Sequence, residues 1–367
     1  MKRVDAIVVG GGVCGLGAGY FLSESMKVVV LERESQPAYH SSGRSAALYI
    51  IGYESPEVSV LTAAGQQFYN NPPEGFDDGP LIKPRGGLTL TEPGMEPRMT
   101  SFLDRWHTHC PRLSRITLEE ALERVPLLRP EQLAAAAFDP DWYSIDVHRL
   151  VMGYRRGILR RGSLLQCSAE VTSVERQGTV WRVAAGDVFE APLLINAAGA
   201  WAAQIGQMAG LGGVPLQPLR RTAVLLPLPE GAGSWPSVNT LADDLYFKPE
   251  GNGLMLSPED ETPTEPCDAA PEEIDVARGI DHFERVTTKP VNKILSKWAG
   301  LRTFSPDRRP VIGRDPREPS FCWYAGLGGF GVQTSPGLGR LIADCVLGSK
   351  QPSSAIDVSR YAGAMQG

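Results

Sequence analysis

The sequence predicts an α/β protein in which one domain is interrupted by another. Three observations carry this reading. A strand–glycine–helix–strand unit opens the chain, a second strand–glycine–helix turn closes it, and two long stretches between them switch to short strand-like runs broken by proline and glycine turns. At 367 residues the chain is long enough for two domains of ordinary size. Its 42% hydrophobic and 21% charged residues make it globular and exclude a disordered chain.

The opening unit spans Asp5 to Arg33. Ala6-Ile-Val-Val9 is a short, β-branched apolar run, as a strand buried on both faces should be. Gly10-Gly-Gly-Val-Cys-Gly15 follows at once and fits G-x-G-x-x-G. Val13 to Ser25 reads as a close-packed helix of small residues and leucine. Lys27-Val-Val-Val-Leu31 is a second strand, closed by Glu32. An acid about 20 residues past the glycines completes the dinucleotide-binding fingerprint of a Rossmann-like fold. Gly10 permits the tight turn, Gly12 lets a pyrophosphate approach the backbone, and Gly15 lets helix and strand pack closely. The helix N-terminus at Val13 and Cys14 offers unpaired N–H groups to the phosphates. Glu32 accepts from both hydroxyls of an adenosine ribose and repels a 2′-phosphate.

A net charge of −6 argues against nucleic acid as a partner, because phosphate binding needs a clustered basic face. Arg155, Arg156, Arg160 and Arg161 read as a solvated helix face. The six cysteines are scattered with no C-x-x-C pair, so neither a zinc ribbon nor a redox dithiol is suggested. His107-Thr-His109-Cys110 lacks a nearby fourth ligand, and no metal is expected. No signal peptide is visible and no run reaches the roughly 18 apolar residues of a membrane span. A reducing, cytoplasmic location is expected.

Along the chain, Pro37 to Ala47 reads as a loop of small and hydroxylated residues running into a helix, with Ser41, Ser42 and Arg44 as donors beside the nucleotide. From about Tyr49 to Tyr143 proline-rich turns appear, with helices over Glu57–Tyr69 and Thr117–Val125 and a strand at Leu88-Thr-Leu-Thr. Asp146 caps a helix that returns to the first domain. Strands follow at Ser168–Glu175, Thr179–Ala184 and Pro192–Ile195, the last running into Asn196-Ala-Ala-Gly-Ala-Trp201. Leu216 to Leu301 reads as a second visit to the other domain, with a hairpin over Asp244–Gly253. Phe321–Ala325 is a strand, Gly326–Gly331 a glycine loop, and Ser335–Leu347 a closing helix. The division is therefore 1–48, 145–215 and 300–367 for the dinucleotide-binding domain, and 49–144 and 216–299 for the substrate-binding domain.

Two glycine turns at opposite ends of the chain suit an extended dinucleotide, and FAD accounts for both better than NAD. The opening fingerprint, His40-Ser-Ser-Gly-Arg-Ser-Ala-Ala47, Asn196–Trp201, Gly300-Leu-Arg-Thr-Phe-Ser-Pro-Asp-Arg-Arg-Pro-Val-Ile-Gly313 and Gly328-Gly-Phe-Gly-Val-Gln-Thr-Ser335 together resemble the D-amino acid oxidase and glycine oxidase family of flavoenzymes. Within it they resemble the bacterial D-arginine dehydrogenases. The resemblance covers nearly the whole chain. It implies non-covalent FAD and an α+β substrate domain resting a mixed sheet over the flavin. Carried over motif by motif, the cofactor contacts extend to Arg33, Ser45, Ala46, Ala47, Val171, Ala198, Gly199, Trp201, Arg302, Gly328, Gly329, Phe330, Gly331, Val332 and Gln333.

The resemblance also implies catalytic roles. Arg302 is similar to the family's guanidinium for the substrate carboxylate, Arg221 and Tyr246 to further carboxylate contacts, and Tyr53 to a lid tyrosine. A planar guanidinium grips a carboxylate bidentately and a phenol adds a donor. Three positions depart from the relatives. Gly87 stands for a glutamate that holds a substrate guanidinium, Leu48 for a histidine, and Met255 for an oxygen-activating lysine. The expectation is a D-amino acid dehydrogenase for neutral or hydrophobic side chains, passing a hydride from Cα to flavin N5. Its electrons then go to a quinone, an electron-transfer protein or O2. With no histidine base, the amine is expected to lose its proton to solvent. The alternatives are an oxidase of glycine, sarcosine or another secondary amine, and a non-catalytic flavin-binding subunit.

Overall fold

The computed structural model describes residues 1–366. A six-stranded sheet runs in the order Leu164–Gln166, Val28–Leu31, Ala6–Val9, Leu193–Asn196, Glu318–Ala325, Val311–Asp315. All its pairs are parallel except the last, which adds an antiparallel edge. Ala6–Val9 and Val28–Leu31 are buried at every position, which is why they read as unbroken apolar runs. The helix Val13–Leu22 covers one face with Val147–Arg160 and Gly331–Leu347, around an aromatic cluster of Tyr20, Phe68, Phe76 and Tyr154. The opposite face is packed by Trp181, Phe189, Phe321 and Trp323, partly from a four-stranded sheet of Lys2–Arg3, Ser173–Gln177, Val180–Ala185 and Asp187–Ala191.

A nine-stranded mixed sheet forms the second layer. Its long strand Gln217–Pro227 pairs along its length with Ser296–Phe304, and on its other side with Gly253–Ser257 and Thr262–Pro263. Tyr246–Glu250, Ser237–Thr240, Gly87–Thr91, Ala135–Asp139 and Ser114–Ile116 complete it, with one parallel pair between Ser237–Thr240 and Gly87–Thr91. Alternation decides its faces. Val224, Leu226, Phe247, Leu254 and Leu256 pack on Val276, Phe283 and Val286 of the helix Glu273–Val286. Arg221, Ala223 and Tyr246 turn the other way, to a cavity between the two large sheets. A three-stranded sheet of Leu48–Tyr49, Ile82–Pro84 and Tyr143–Ile145 lies where the chain was expected to cross near residues 48 and 145. The strand Ser296–Phe304 runs straight through the boundary expected at residue 300.

Several local expectations are corrected. Residues 37–47 form turns, not a helix; Ala38 and Ala47 have φ of 60° and 53°, and the Ser41 and Ser45 hydroxyls bond backbone carbonyls. The helix expected over 57–69 breaks at Gly65 into Pro56–Ala64 and Gln66–Asn70. Ser168 has φ 52° and the strand begins only at Ser173, while Leu164–Gln166 and Asp187–Ala191 are further strands. The closing helix starts at Gly331, so Pro336 lies inside it. Proline cannot donate to the Val332 carbonyl one turn back, and the Tyr69 hydroxyl does so instead. No helix among the described residues is long and apolar enough to cross a membrane.

Candidate active site

The cavity between the sheets has a volume of about 1070 Å3, above the roughly 300–1,000 Å3 of a single-ligand pocket. Its nucleotide end is built from backbone. Gly10, at φ 106°, turns the chain out of the first strand, and a Cβ on Gly15 would lie 1.8 Å from the Gly10 carbonyl oxygen. Gly12 caps the first helix without a side-chain bond, and the Val13 N–H donates to Ser42 Oγ at 3.1 Å. Glu32 is buried and takes the Gly11 N–H at 2.8 Å on one oxygen and the Glu34 N–H at 2.9 Å on the other. Burial pushes its carboxyl up, and the two amides pull it back. Arg33 stacks 5.0 Å over Trp201, which also meets the His40 ring at 4.8 Å.

Ser42, Ser45, Ala46, Ala47, Val171, Ala198, Gly199, Trp201, Gly328, Gly331 and Val332 line the cavity, as does Cys14. Burial pushes the Cys14 thiol up to about 12, so it stays neutral. Other expected contacts are spoken for. Ser41 donates to the Leu301 carbonyl at 2.6 Å. Arg44 is held by the Ala269 and Ala299 carbonyls at 3.0 and 2.9 Å and by Asp268, so it latches two segments and is not a free donor. Gln333 takes the Ile50 N–H at 3.0 Å and gives to the Ile50 carbonyl at 3.2 Å and Thr62 Oγ1 at 3.0 Å, which makes it a brace for the loop before Tyr53. The Phe330 ring sits in the core, and Gly15 serves packing; neither lines the cavity.

The other end is built from side chains. Arg302 is half-buried on the cavity wall, with Tyr53 Oη 3.4 Å from Nη1. A Cβ on Gly329 would lie 2.9 Å from both Arg302 Cζ and Tyr53 Oη, so the glycine loop rests on this pair. Burial works against the charge of Arg302, but Tyr53, Tyr246, Glu259 and Glu261 more than offset it. Among the described residues Arg302 is in no ion pair, which is costly for a desolvated cation unless a ligand supplies the anion. Arg221 is different. Its nitrogens go to Glu259 at 3.3 Å, Glu261 at 3.1 Å and the Asp260 carbonyl at 2.9 Å, so it is not free to grip a substrate. Arg308 bonds Glu54 at 2.5 Å and both oxygens of Glu261 at 3.0 and 2.9 Å.

Two of the departures also read differently in three dimensions. A Cβ on Gly87 would lie 2.2 Å from the Trp142 ring, and it is Trp142 that lines the cavity. Gly87 therefore faces no substrate. Met255 is buried between Leu225 and Lys248 on neighbouring strands and does not reach the cavity wall; Leu48 does. Glu54, Trp142, Glu259 and Glu261 were not foreseen. Pro258-Glu-Asp-Glu-Thr-Pro263 reads as an exposed acidic turn, and nothing local says that it folds under Arg221. Arg308 was within reach, since it stands inside the Gly300–Gly313 motif.

FAD fits these residues. Side chains at Gly10 and Gly15 would collide with the Ala197 and Gly10 carbonyl oxygens at 2.4 and 1.8 Å, so only glycine lets the turn lay its backbone against the cavity. Buried Tyr324 lines the cavity, and its hydroxyl, near Cys14, Tyr154 and Tyr69, has no hydrogen-bond partner among the described residues. A ligand that joins a nucleotide to a reactive group beneath the second sheet would use the cavity from end to end, as FAD would, and the class this suits is the flavin-dependent oxidoreductases. The chain belongs to the DAO family of FAD-dependent oxidoreductases, which it matches over residues 5–345. It is 25% identical to FAD-dependent oxidoreductase domain-containing protein 1 of Bos taurus, over 94% of this chain and 82% of that one. It is 27% identical to the mitochondrial dimethylglycine dehydrogenase of Mus musculus, over 98% of this chain but only 44% of that longer protein. The crystal structure of glycine oxidase from Geobacillus kaustophilus superposes with a TM-score of 0.86 at 21% identity, covering 98% of this chain and 99% of the other.

Proposed function

We propose that this protein oxidises the Cα–N bond of a small α-amino acid held through its carboxylate, with neutral D-amino acids as its leading substrates and electrons passed to a quinone, an electron-transfer protein or O2. One observation carries the reading: a guanidinium, Arg302, sits on the cavity wall beneath the Gly328–Gly329 turn, near Glu259 and Glu261 but in no ion pair among the described residues. A substrate carboxylate supplies that anion. Tyr53 and Tyr246 close around it, and Trp142 and Leu48 provide apolar wall for a side chain. Non-covalently bound FAD supplies the two-electron acceptor for the hydride that leaves Cα. The names of the dimethylglycine dehydrogenase and glycine oxidase relatives favour a second reading, an N-methylated or unsubstituted glycine as donor.

The test is anaerobic bleaching of the flavin with a panel of D- and L-amino acids and N-methylglycines. Reduction by neutral D-amino acids supports the first reading, and reduction by N-methylglycines alone supports the second. A flavin that no member of the panel reduces returns the protein to a non-catalytic role. Hydrogen peroxide formed in air at the rate of turnover moves it to the oxidases.

A further inference from the structure

The substrate end carries charge that the carboxylate clamp does not use. Four charged residues there, Glu54, Asp243, Glu259 and Arg308, have φ of 60°, 57°, 56° and 58°, and all four line the cavity. Side chains avoid this left-handed backbone, and it persists only where the surroundings over-determine it, commonly at functional sites. Three of the four are consumed by partners: Glu54 and Arg308 by each other, and Asp243 by Arg98 at 2.8 Å. Glu259 is not. Its Oε2 meets one edge of Arg221 at 3.3 Å, and its Oε1 accepts no hydrogen bond among the described residues.

The turn around it is fixed. The Glu259 N–H donates to Ser257 Oγ at 3.2 Å. Asp260 takes the Thr222 N–H and hydroxyl at 2.6 and 3.0 Å, and Glu261 goes to Arg308. The acids on its C-terminal side are thus spent on holding the loop, and Glu259 alone is left on the cavity beside Arg302. Burial raises its carboxyl, Arg221 and Arg302 oppose this, and Asp243 adds to it. Tyr53 also faces it.

Resting on the amino-acid reading above, we propose that Glu259 anchors the substrate's nitrogen and takes its proton, while Arg302 holds the carboxylate. The step balances without a co-reactant: an N–H bond of the ammonium breaks, an O–H bond forms on the Glu259 carboxylate, and the neutral amine keeps the electron pair. This replaces the expectation that the proton goes straight to solvent.

Two dead-end probes separate the roles. Acetate carries a carboxylate alone; glycine betaine carries a carboxylate and a permanent cation. Each is titrated into the FAD-loaded protein and followed by the flavin absorption spectrum. Glu259→Gln should lower the affinity of betaine relative to acetate about tenfold to a hundredfold. Acetate should bind the variant as well as wild type or better. In wild type the relative affinity for betaine should fall as pH drops through the raised range of the Glu259 carboxyl, because the protonated acid no longer attracts a cation, and the variant should lose that dependence. An unchanged ratio in Glu259→Gln, with both probes lost in Arg302→Met, overturns the proposal and leaves the carboxylate clamp standing. Equal weakening of both probes with a lowered melting temperature assigns Glu259 to the scaffold and also overturns it. If wild type binds neither probe, the amino-acid reading fails first and this proposal with it.

Discussion

The two ends of the cavity recognise by different means. The nucleotide end is built mainly from main chain and absent side chains in one run between Gly10 and Glu32, whose amides are taken by the Glu32 carboxylate and the Ser42 hydroxyl. At the substrate end they are charged side chains from segments far apart in sequence: Tyr53, Arg221, Tyr246, Glu259, Arg302 and Arg308. A backbone site is sensitive to added volume, and a side-chain site to lost charge. The first tolerates few substitutions because its geometry is the fold itself. The second can be retuned one residue at a time, since its members are separate side chains: Arg221, Tyr246 and Arg302 stand on strands, and Tyr53, Glu259 and Arg308 on the turns beside them.

The contrast can be broken in order of expected effect. Gly15→Val puts methyl groups where even a Cβ would lie 1.8 Å from a carbonyl oxygen. Overpacking typically costs about 1–3 kcal/mol and more against fixed backbone, so FAD content and melting temperature should both collapse. A yellow, stable Gly15→Val protein would show that the cradle is looser than drawn. Arg302→Met should leave FAD content intact and lower the second-order rate of anaerobic flavin reduction by about 2–5 kcal/mol, the loss expected when a buried charge pair is cut. If the two variants fail in the same way, the ends are not separable.

The smallest effect is expected at Asp307, which holds the turn that presents Arg308. It accepts from Ser305 at 2.8 Å, the Arg309 N–H at 3.1 Å, Arg360 at 2.8 Å and Tyr361 at 2.8 Å. Burial works to raise its carboxyl, but these donors hold it well below the ordinary carboxylate range. A lowered carboxyl contributes stability above its unfolded value and loses it as pH falls toward the folded one. Asp307→Asn should therefore lower the melting temperature at neutral pH, with the gap to wild type closing only in strong acid. A gap that does not change with pH would mean that shape, not charge, holds this turn.

How much could be read in advance follows the same division. The opening βαβ unit was legible because its strand, glycines, helix and acid are contiguous and each constrains the next. Arg302, Tyr53 and Tyr246 came from motif resemblance, not from any local signal. What was illegible depended on partners distant in sequence. Arg44 looked like a free donor until Asp268 and Ala299 were beside it. Arg221 looked like a substrate contact until the Glu259–Glu261 turn enclosed it. Gly87 looked like a pocket position without its acid until Trp142 covered it, and the closing helix looked as if it began at Ser335 because the Tyr69 hydroxyl that satisfies Val332, one turn before Pro336, lies far away in sequence.

The strand order of the six-stranded sheet has a consequence in time. Leu193–Asn196 lies between Ala6–Val9 and Glu318–Ala325, so a central strand joins two strands far apart in sequence. During synthesis Leu193–Asn196 can pair on one side as soon as it emerges, yet its other edge stays open until Phe321 to Trp323 arrive. The Gly326–Gly331 turn that rests on Arg302 comes later still. Such long-range closure is slow and leaves an unpaired edge exposed meanwhile. A nascent chain thus carries its Gly10–Gly15 cradle long before it can close it over a cofactor, which waits for the Gly326–Gly331 turn to be made.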